Sequence, residues 1–197
     1  MAIPKLKSAK EKQEKEKRTK LFMAVFVIII LGASTAAYAL MESTSVEKKK
    51  YNEFTFIKAE NRWKEKSMNF TTQYLPQEVE NINFTGKIDF TLFDSSAYAI
   101  ASGSDEQIAA NEFIQAMPLK KVNLACLPNQ ADDAICNYLP LKTCDDAHFK
   151  NAVMIFSEAD ESYVRFDNYC LRVYGKGDDL IKAADKAIFM AYGIIKQ

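Results

Sequence analysis

Histidine occurs once in this chain, at position 148, and no two cysteines are spaced Cys-x-x-Cys. Those gaps remove the common zinc sites, which need several Cys and His ligands at short spacing, and the dithiol motif of thiol oxidoreductases. Cysteine is missing from the first 125 residues and then appears four times, at Cys126, Cys136, Cys144 and Cys170. One stretch lacks charge altogether: residues 21–40, LFMAVFVIIILGASTAAYAL, hold no Asp, Glu, Lys or Arg. At ~1.5 Å rise per residue a helix of that length covers roughly 30 Å, the hydrocarbon thickness of a bilayer. No internal repeat is visible, and the only low-complexity stretch is the lysine-rich tail.

The chain is formally neutral, but the average conceals a split. Residues 1–20 carry eight Lys/Arg against three Glu, and residues 41–197 carry 18 Lys/Arg against 23 Asp/Glu. Basic residues beside a transmembrane segment favour the cytoplasmic side, which places the tail inside and the larger part of the chain outside. An acidic domain argues against nucleic acid, whose binding needs a basic face. The tail interleaves Lys with Glu, has no aromatics and abuts the apolar run. It therefore reads as a juxtamembrane segment attracted to anionic lipid. The expected organisation is a basic cytoplasmic tail (1–20), a transmembrane helix (21–40), a short polar tether (41–50) and an extracytoplasmic domain (51–197). Gly32, Ala33, Ala36 and Ala37 put small residues on one side of the span, which permits close helix pairing.

A competing reading takes 21–31 as the core of a signal peptide, with Ala37-Tyr38-Ala39 as its cleavage site and Leu40 as the first residue of a secreted product. The twenty-residue basic segment ahead of it is long for such a peptide, and the apolar run continues to spanning length, so the anchor is preferred. Either way the domain is exported.

Patterning within the domain predicts an α+β fold, mostly antiparallel, with two helices. Strands are expected at 51–58 and 61–65, a third in which Phe70, Thr72 and Tyr74 alternate, ending at Leu75-Pro76, and a polar turn or single helical turn at 76–80 before Ile82 and Phe84. The clearest strand is 86–93, where Ile88, Phe90 and Leu92 alternate with Lys87, Asp89 and Thr91. Ser104, with Gln107 three positions on, reads as a capping box for a helix reaching Met117, with Ile108, Phe113 and Ala116 on or near its buried side and Pro118 as its stop. Further strands are expected at 121–126, 152–156, 162–166 and 170–174, the last three as an antiparallel meander. Asp178 and Asp179 start a second helix whose Leu180, Ala184, Ala187, Ile188, Ala191 and Ile195 share one face, with Lys182, Asp185 and Lys186 on the other.

The four cysteines, even in number and confined to the exported part, imply two disulfides. Three pairings are open; the sequential one, Cys126–Cys136 with Cys144–Cys170, is favoured because each closes a local loop. His148, beside Asp145 and Asp146, could serve as a base or ligand, but no nucleophile accompanies it. The acidic pairs Asp132-Asp133, Asp145-Asp146 and Asp178-Asp179 do not match a calcium loop's alternating ligands, and turn or cap roles account for them. Gly175-x-Gly177 lacks the third glycine of a dinucleotide fingerprint and reads as a strand-to-helix turn. Asn69 and Asn83 open two glycosylation sequons. Nothing implies a catalytic residue, metal or cofactor.

Three segments of the last third, Leu141-Lys142-Thr143-Cys144-Asp145-Asp146, Asn168-Tyr169-Cys170-Leu171-Arg172-Val173 and the run from Asp179 through Asp185 ending Tyr192-Gly193-Ile194, together with Tyr51-Asn52-Glu53-Phe54-Thr55-Phe56, resemble uncharacterised, membrane-anchored proteins of small-genome archaea. The resemblance spans 51–195 and implies anchoring and paired cysteines, and carries no activity. The expected function is a non-enzymatic, displayed domain that binds or scaffolds an envelope protein or glycan. The rivals are an exported hydrolase, marked by two carboxylates converging in a pocket, and a thiol oxidoreductase, marked by one exposed reactive cysteine.

Overall fold

The computed structural model describes residues 17–18, 20–30, 47–88 and 96–196. In the N-terminal unit, Met1–Ser45, residues 20–30 are helical with Phe22, Phe26 and Ile28 exposed. Among the described residues no helix is long and apolar enough to cross a membrane. The rest of the expected span, 31–40, lies outside the described residues, and with it Gly32, Ala33, Ala36, Ala37 and the cleavage position at Ala39.

The second unit, Val46–Gln197, opens with β1 (Lys48–Tyr51), β2 (Phe54–Ala59), β3 (Arg62–Glu65) and β4 (Thr71–Thr72). These pair in sequence order into a four-stranded antiparallel sheet. β1 uses the last residues of the expected tether, because pairing with β2 gives even a lysine-rich segment strand hydrogen bonds. Asn52 and Glu60 turn the hairpins at positive φ, 51° and 56°. Alternation sorts the faces: Phe56, Trp63, Glu65 and Thr72 are buried, while Lys48, Lys50 and Lys64 are exposed.

The chain then forms α1 (Pro76–Val79), β5 (Asn83–Thr85), β6 (Ser96–Ile100), α2 (Ser104–Ala116), β7 (Lys121–Leu124), β8 (Asn151–Glu158), β9 (Tyr163–Asp167), β10 (Cys170–Gly175) and α3 (Asp178–Ala191). The second sheet has the order β5-β9-β10-β8-β6-β7. The α+β class matches the sequence reading. Antiparallel pairing makes up the whole first sheet and the β9–β10 hairpin; β5–β9, β10–β8, β8–β6 and β6–β7 are parallel. The expected meander of the last three strands is therefore corrected: β8 pairs with β10 and not with β9. Ala152, Val153, Met154, Ile155 and Phe156 are all buried, as a strand covered on both faces requires. Of the expected strand at 86–93, residues 86–88 are not strand and 89–95 lie outside the described residues. Gly86 holds φ 101°, and a Cβ there would sit 1.8 Å from the Phe166 carbonyl oxygen, so only glycine fits.

α3 is the hub. Phe189 meets Phe56 of the first sheet edge-on at 5.8 Å and Phe70 at 6.3 Å, while Leu180 packs against β10 closely enough that a Cβ on Gly175 would lie 2.7 Å from the Leu180 nitrogen. Because the helix is covered all round from Ala183 to Ala191, Asp185 and Lys186, expected on a solvent face, are 0% and 5% exposed. α2 departs from its expected start too. Gly103 is the cap, and Glu106, not Gln107, reaches back to the N–H groups of Ser102 (2.6 Å) and Gly103 (2.8 Å). Ile108, expected near the core, is half exposed, while Phe113 and Ala116 are buried.

Candidate functional site

β6 and β7 run parallel, and the chain leaving β7 folds back beside α2 through two short 3-10 turns, Pro128–Gln130 and Cys136–Tyr138. Five contacts hold this loop. The Cys126–Cys136 disulfide spans a Cα separation of 5.8 Å. The Cys126 N–H donates to the Pro140 carbonyl at 3.0 Å, and the Lys142 N–H donates to the Cys126 carbonyl at 2.8 Å. The Gln130 side chain accepts from the Leu127 N–H (3.0 Å) and donates to the Ser102 hydroxyl.

Loop, helix and strand end enclose a cleft of about 700 Å³, walled by Ala101, Ala110, Ile114, Leu124, Ile135, Leu139 and the disulfide, with Ser102, Gln107, Asn111 and Asp133 as its polar edge. The volume is in the range of small-molecule and side-chain pockets. Its surroundings are unusually apolar for a surface: Leu124 is 62% exposed and Ile135 74%, and Tyr138 of the same loop is 91% exposed.

The cleft adjoins an open sheet edge. β7 ends the strand order. The Ala125 N–H bonds the Ala99 carbonyl of the neighbouring chain segment, whereas Cys126 bonds outward to Pro140 and Lys142. Alternation then turns the N–H and C=O of Val122 and Leu124 outward, where no described strand meets them.

Two carboxylates do converge, but elsewhere. Glu112 of α2 and Asp185 of α3 are 5% and 0% exposed and lie in hydrogen-bonding contact. The Arg62 guanidinium bonds Glu112 at 2.7 Å. One Asp185 oxygen accepts from the N–H groups of Gln73 (3.0 Å) and Tyr74 (2.8 Å); the other has no conventional donor. Burial first, and the Glu112 charge second, hold the Asp185 carboxyl well above the usual carboxylate range, and burial raises Glu112 as well. A proton held between the two carboxyls would satisfy the orphaned oxygen. None of these groups lines the cleft: Asn111 does, while its neighbour Glu112 turns into the core.

The expected site residues are placed as follows. Cys126 bonds Cys136 and Cys144 bonds Cys170, the sequential pairing, leaving no free cysteine. His148 is exposed, its Nδ1 facing the Phe149 carbonyl at 2.9 Å. Thr143 caps the turn Cys144–Asp146, and its backbone N–H, donating to Asp146, lowers that carboxyl's pKa, while Asp179 pairs with Lys182 at 2.8 Å. Among the described residues no group of His, Cys, Asp or Glu is arranged to hold a metal ion. Asn69 and Asn83 are both exposed, Asn69 just after the turn at 66–68 at φ 60° and Asn83 at the start of β5. The cleft and the carboxyl pair were not foreseen.

The Cys144–Cys170 bridge ties the loop after β7 to the buried start of β10. Replacing both residues with Ser is expected to cost about 2–4 kcal/mol, as the chain-entropy account of a loop of this size gives. Denaturant midpoints at unchanged slope check it; a variant as stable as the native protein would contradict it. No protein-family model, curated protein or solved structure matches this chain.

Proposed function

We propose that this is a membrane-anchored, extracytoplasmic binding domain, held by residues 21–40, whose cleft receives an apolar side chain from an extended segment of another envelope protein. The observation that carries the reading is the pairing of an apolar cleft with the outward-facing backbone of Val122 and Leu124. A peptide laid along β7 gains main-chain hydrogen bonds from the edge and side-chain burial from the cleft, the two components of recognition by strand addition. A glycan partner suits the site less well, because its walls are aliphatic and its hydrogen-bonding groups sit at one edge. The exported-hydrolase reading requires accessible carboxylates, and the converging pair is sealed in the core. The thiol-oxidoreductase reading calls for an exposed reactive cysteine, and Cys126, Cys136 and Cys170 are buried and Cys144 half-buried.

The test uses a photo-crosslinking residue at Ile135 in intact cells. The adduct is expected to be with a membrane-fraction protein, resistant to alkaline carbonate extraction along with this chain. Val122→Pro removes only an outward N–H, so β7 keeps its bonds to β6 while strand addition is blocked. Loss of the adduct in that variant supports the reading. An adduct indifferent to Val122→Pro, or formed with lipid alone, refutes it, and release of the chain by carbonate refutes the anchor separately.

A further inference from the structure

We propose that the outer face of the four-stranded sheet docks on anionic lipid headgroups of the bilayer in which the chain is anchored. The location rests on the anchored reading above; the chemistry rests on the sheet's own register. Lys48, Ile57, Lys64 and Thr71 lie directly across from one another, one from each strand. On the same face Lys50 lies opposite Thr55, and Lys66, whose N–H donates to the Thr55 carbonyl at 3.1 Å, extends that second row. The intervening row points the other way, with Phe56 0% and Glu65 1% exposed.

Of the sheet's four Glu, Glu53 and Glu60 lie in the hairpin turns and the other two are engaged elsewhere, as is Glu112. Glu47 pairs with Lys49 and Lys58, and Glu112 takes Arg62. The Glu65 carboxylate is buried and accepts from the N–H groups of Ser67 (2.7 Å) and Met68 (2.6 Å). Lys48, Lys50, Lys64 and Lys66 are exposed, and among the described residues none of them enters an ion pair. The face also offers apolar contact through half-buried Ile57, which lies between Lys48 and Lys64. Point-like ammonium groups around an aliphatic centre suit a headgroup layer.

The charge is polar along the domain. Residues 47–66 hold seven Lys/Arg and four Glu, while residues 67–197 hold eleven Lys/Arg and eighteen Asp/Glu. The basic end is the end joined to the anchor: the seven residues 41–47 separate position 40 from β1 and reach at most ~25 Å. A negatively charged membrane surface therefore attracts this face and repels the remainder, within about a Debye length of ~10 Å.

The experiment places the full chain in phosphatidylcholine nanodiscs with and without phosphatidylglycerol and follows acetylation of each lysine by mass spectrometry. With phosphatidylglycerol, labelling of Lys48, Lys50, Lys64 and Lys66 is expected to slow by roughly tenfold. Raised salt should restore it, and Lys150 and Lys176 should be unaffected. A variant carrying Lys48→Glu, Lys50→Glu and Lys64→Glu is expected to lose the slowing at Lys66. Equal rates in the two lipids, or slowing shared by Lys150 and Lys176, overturn the proposal. Protection by soluble polyphosphate but not by phosphatidylglycerol assigns the face to an anionic polymer and overturns it as well. If the chain does not enter discs, the anchor reading fails. The same labelling with phosphatidylglycerol vesicles then decides the docking face: protection of the four lysines supports it, and none overturns it.

Discussion

Asp185→Ala is expected to destabilise the domain by about 3–5 kcal/mol, while Asp185→Asn stays within about 1 kcal/mol of the native protein near pH 5. Alanine strands the buried N–H groups of Gln73 and Tyr74 and removes the partner of Glu112. Asparagine copies the protonated acid: its oxygen accepts from the two N–H groups and its amide donates to Glu112. The pair also sets a pH dependence. The folded-state pKa of Asp185 is raised, by burial and then by Glu112. In the window above the unfolded value of about 3.9 the native state therefore holds a proton that the unfolded chain has released. The associated stability is fully present below that value and is lost as pH rises through the folded pKa. Asp185→Asn removes this contribution, so its stability should fall less than the native protein's between pH 5 and pH 8. Denaturant melts across that range check both claims. Parallel pH profiles for the two proteins would show that Asp185 is ionised when buried.

Phe189→Ala is expected to cost about 3–5 kcal/mol, the ordinary penalty for emptying a fully buried aromatic site. Phe189 is 0% exposed and touches Phe56 and Phe70, so its ring joins α3 to the first sheet. The loss should be uneven. Amide protection in β2, β3 and β4 should fall more than in β8 and β10, which keep their own parallel pairing. Hydrogen exchange reads this directly; uniform loss across both sheets would show that the sheets unfold as one cooperative unit.

What the sequence revealed followed from local patterns. The helix at 178–191, the β9–β10 hairpin and the sequential cysteine pairing each depend on residues close in the chain. The parallel seam between β8 and β10 does not, since a continuous apolar run has no period to show which neighbour it takes. The burial of Asp185 had a faint signal: it sits among Ala183, Ala184, Ala187 and Ile188, in a helix apolar on most sides. Its partner, Glu112, belongs to another helix whose weak amphipathic pattern also misplaced Ile108. The cleft was illegible because its walls use the same Ala, Ile and Leu as the core. Only packing shows that Leu124 and Ile135 are left uncovered.

Glu106 narrows what this protein can hold. Its carboxylate accepts from Ser102 and Gly103 at the end of β6 through one oxygen, and from the Glu158 N–H at the end of β8, at 3.0 Å, through the other. Those amides mark the carboxyl edge of the parallel strands and the start of α2, where open α/β sheets commonly seat phosphate-bearing ligands. Here a resident side chain plays the part of the guest anion and knits two strand ends together. A nucleotide or phosphosugar would have to displace Glu106 to sit there, and under the proposed reading the partner is received instead at the margin beyond β7.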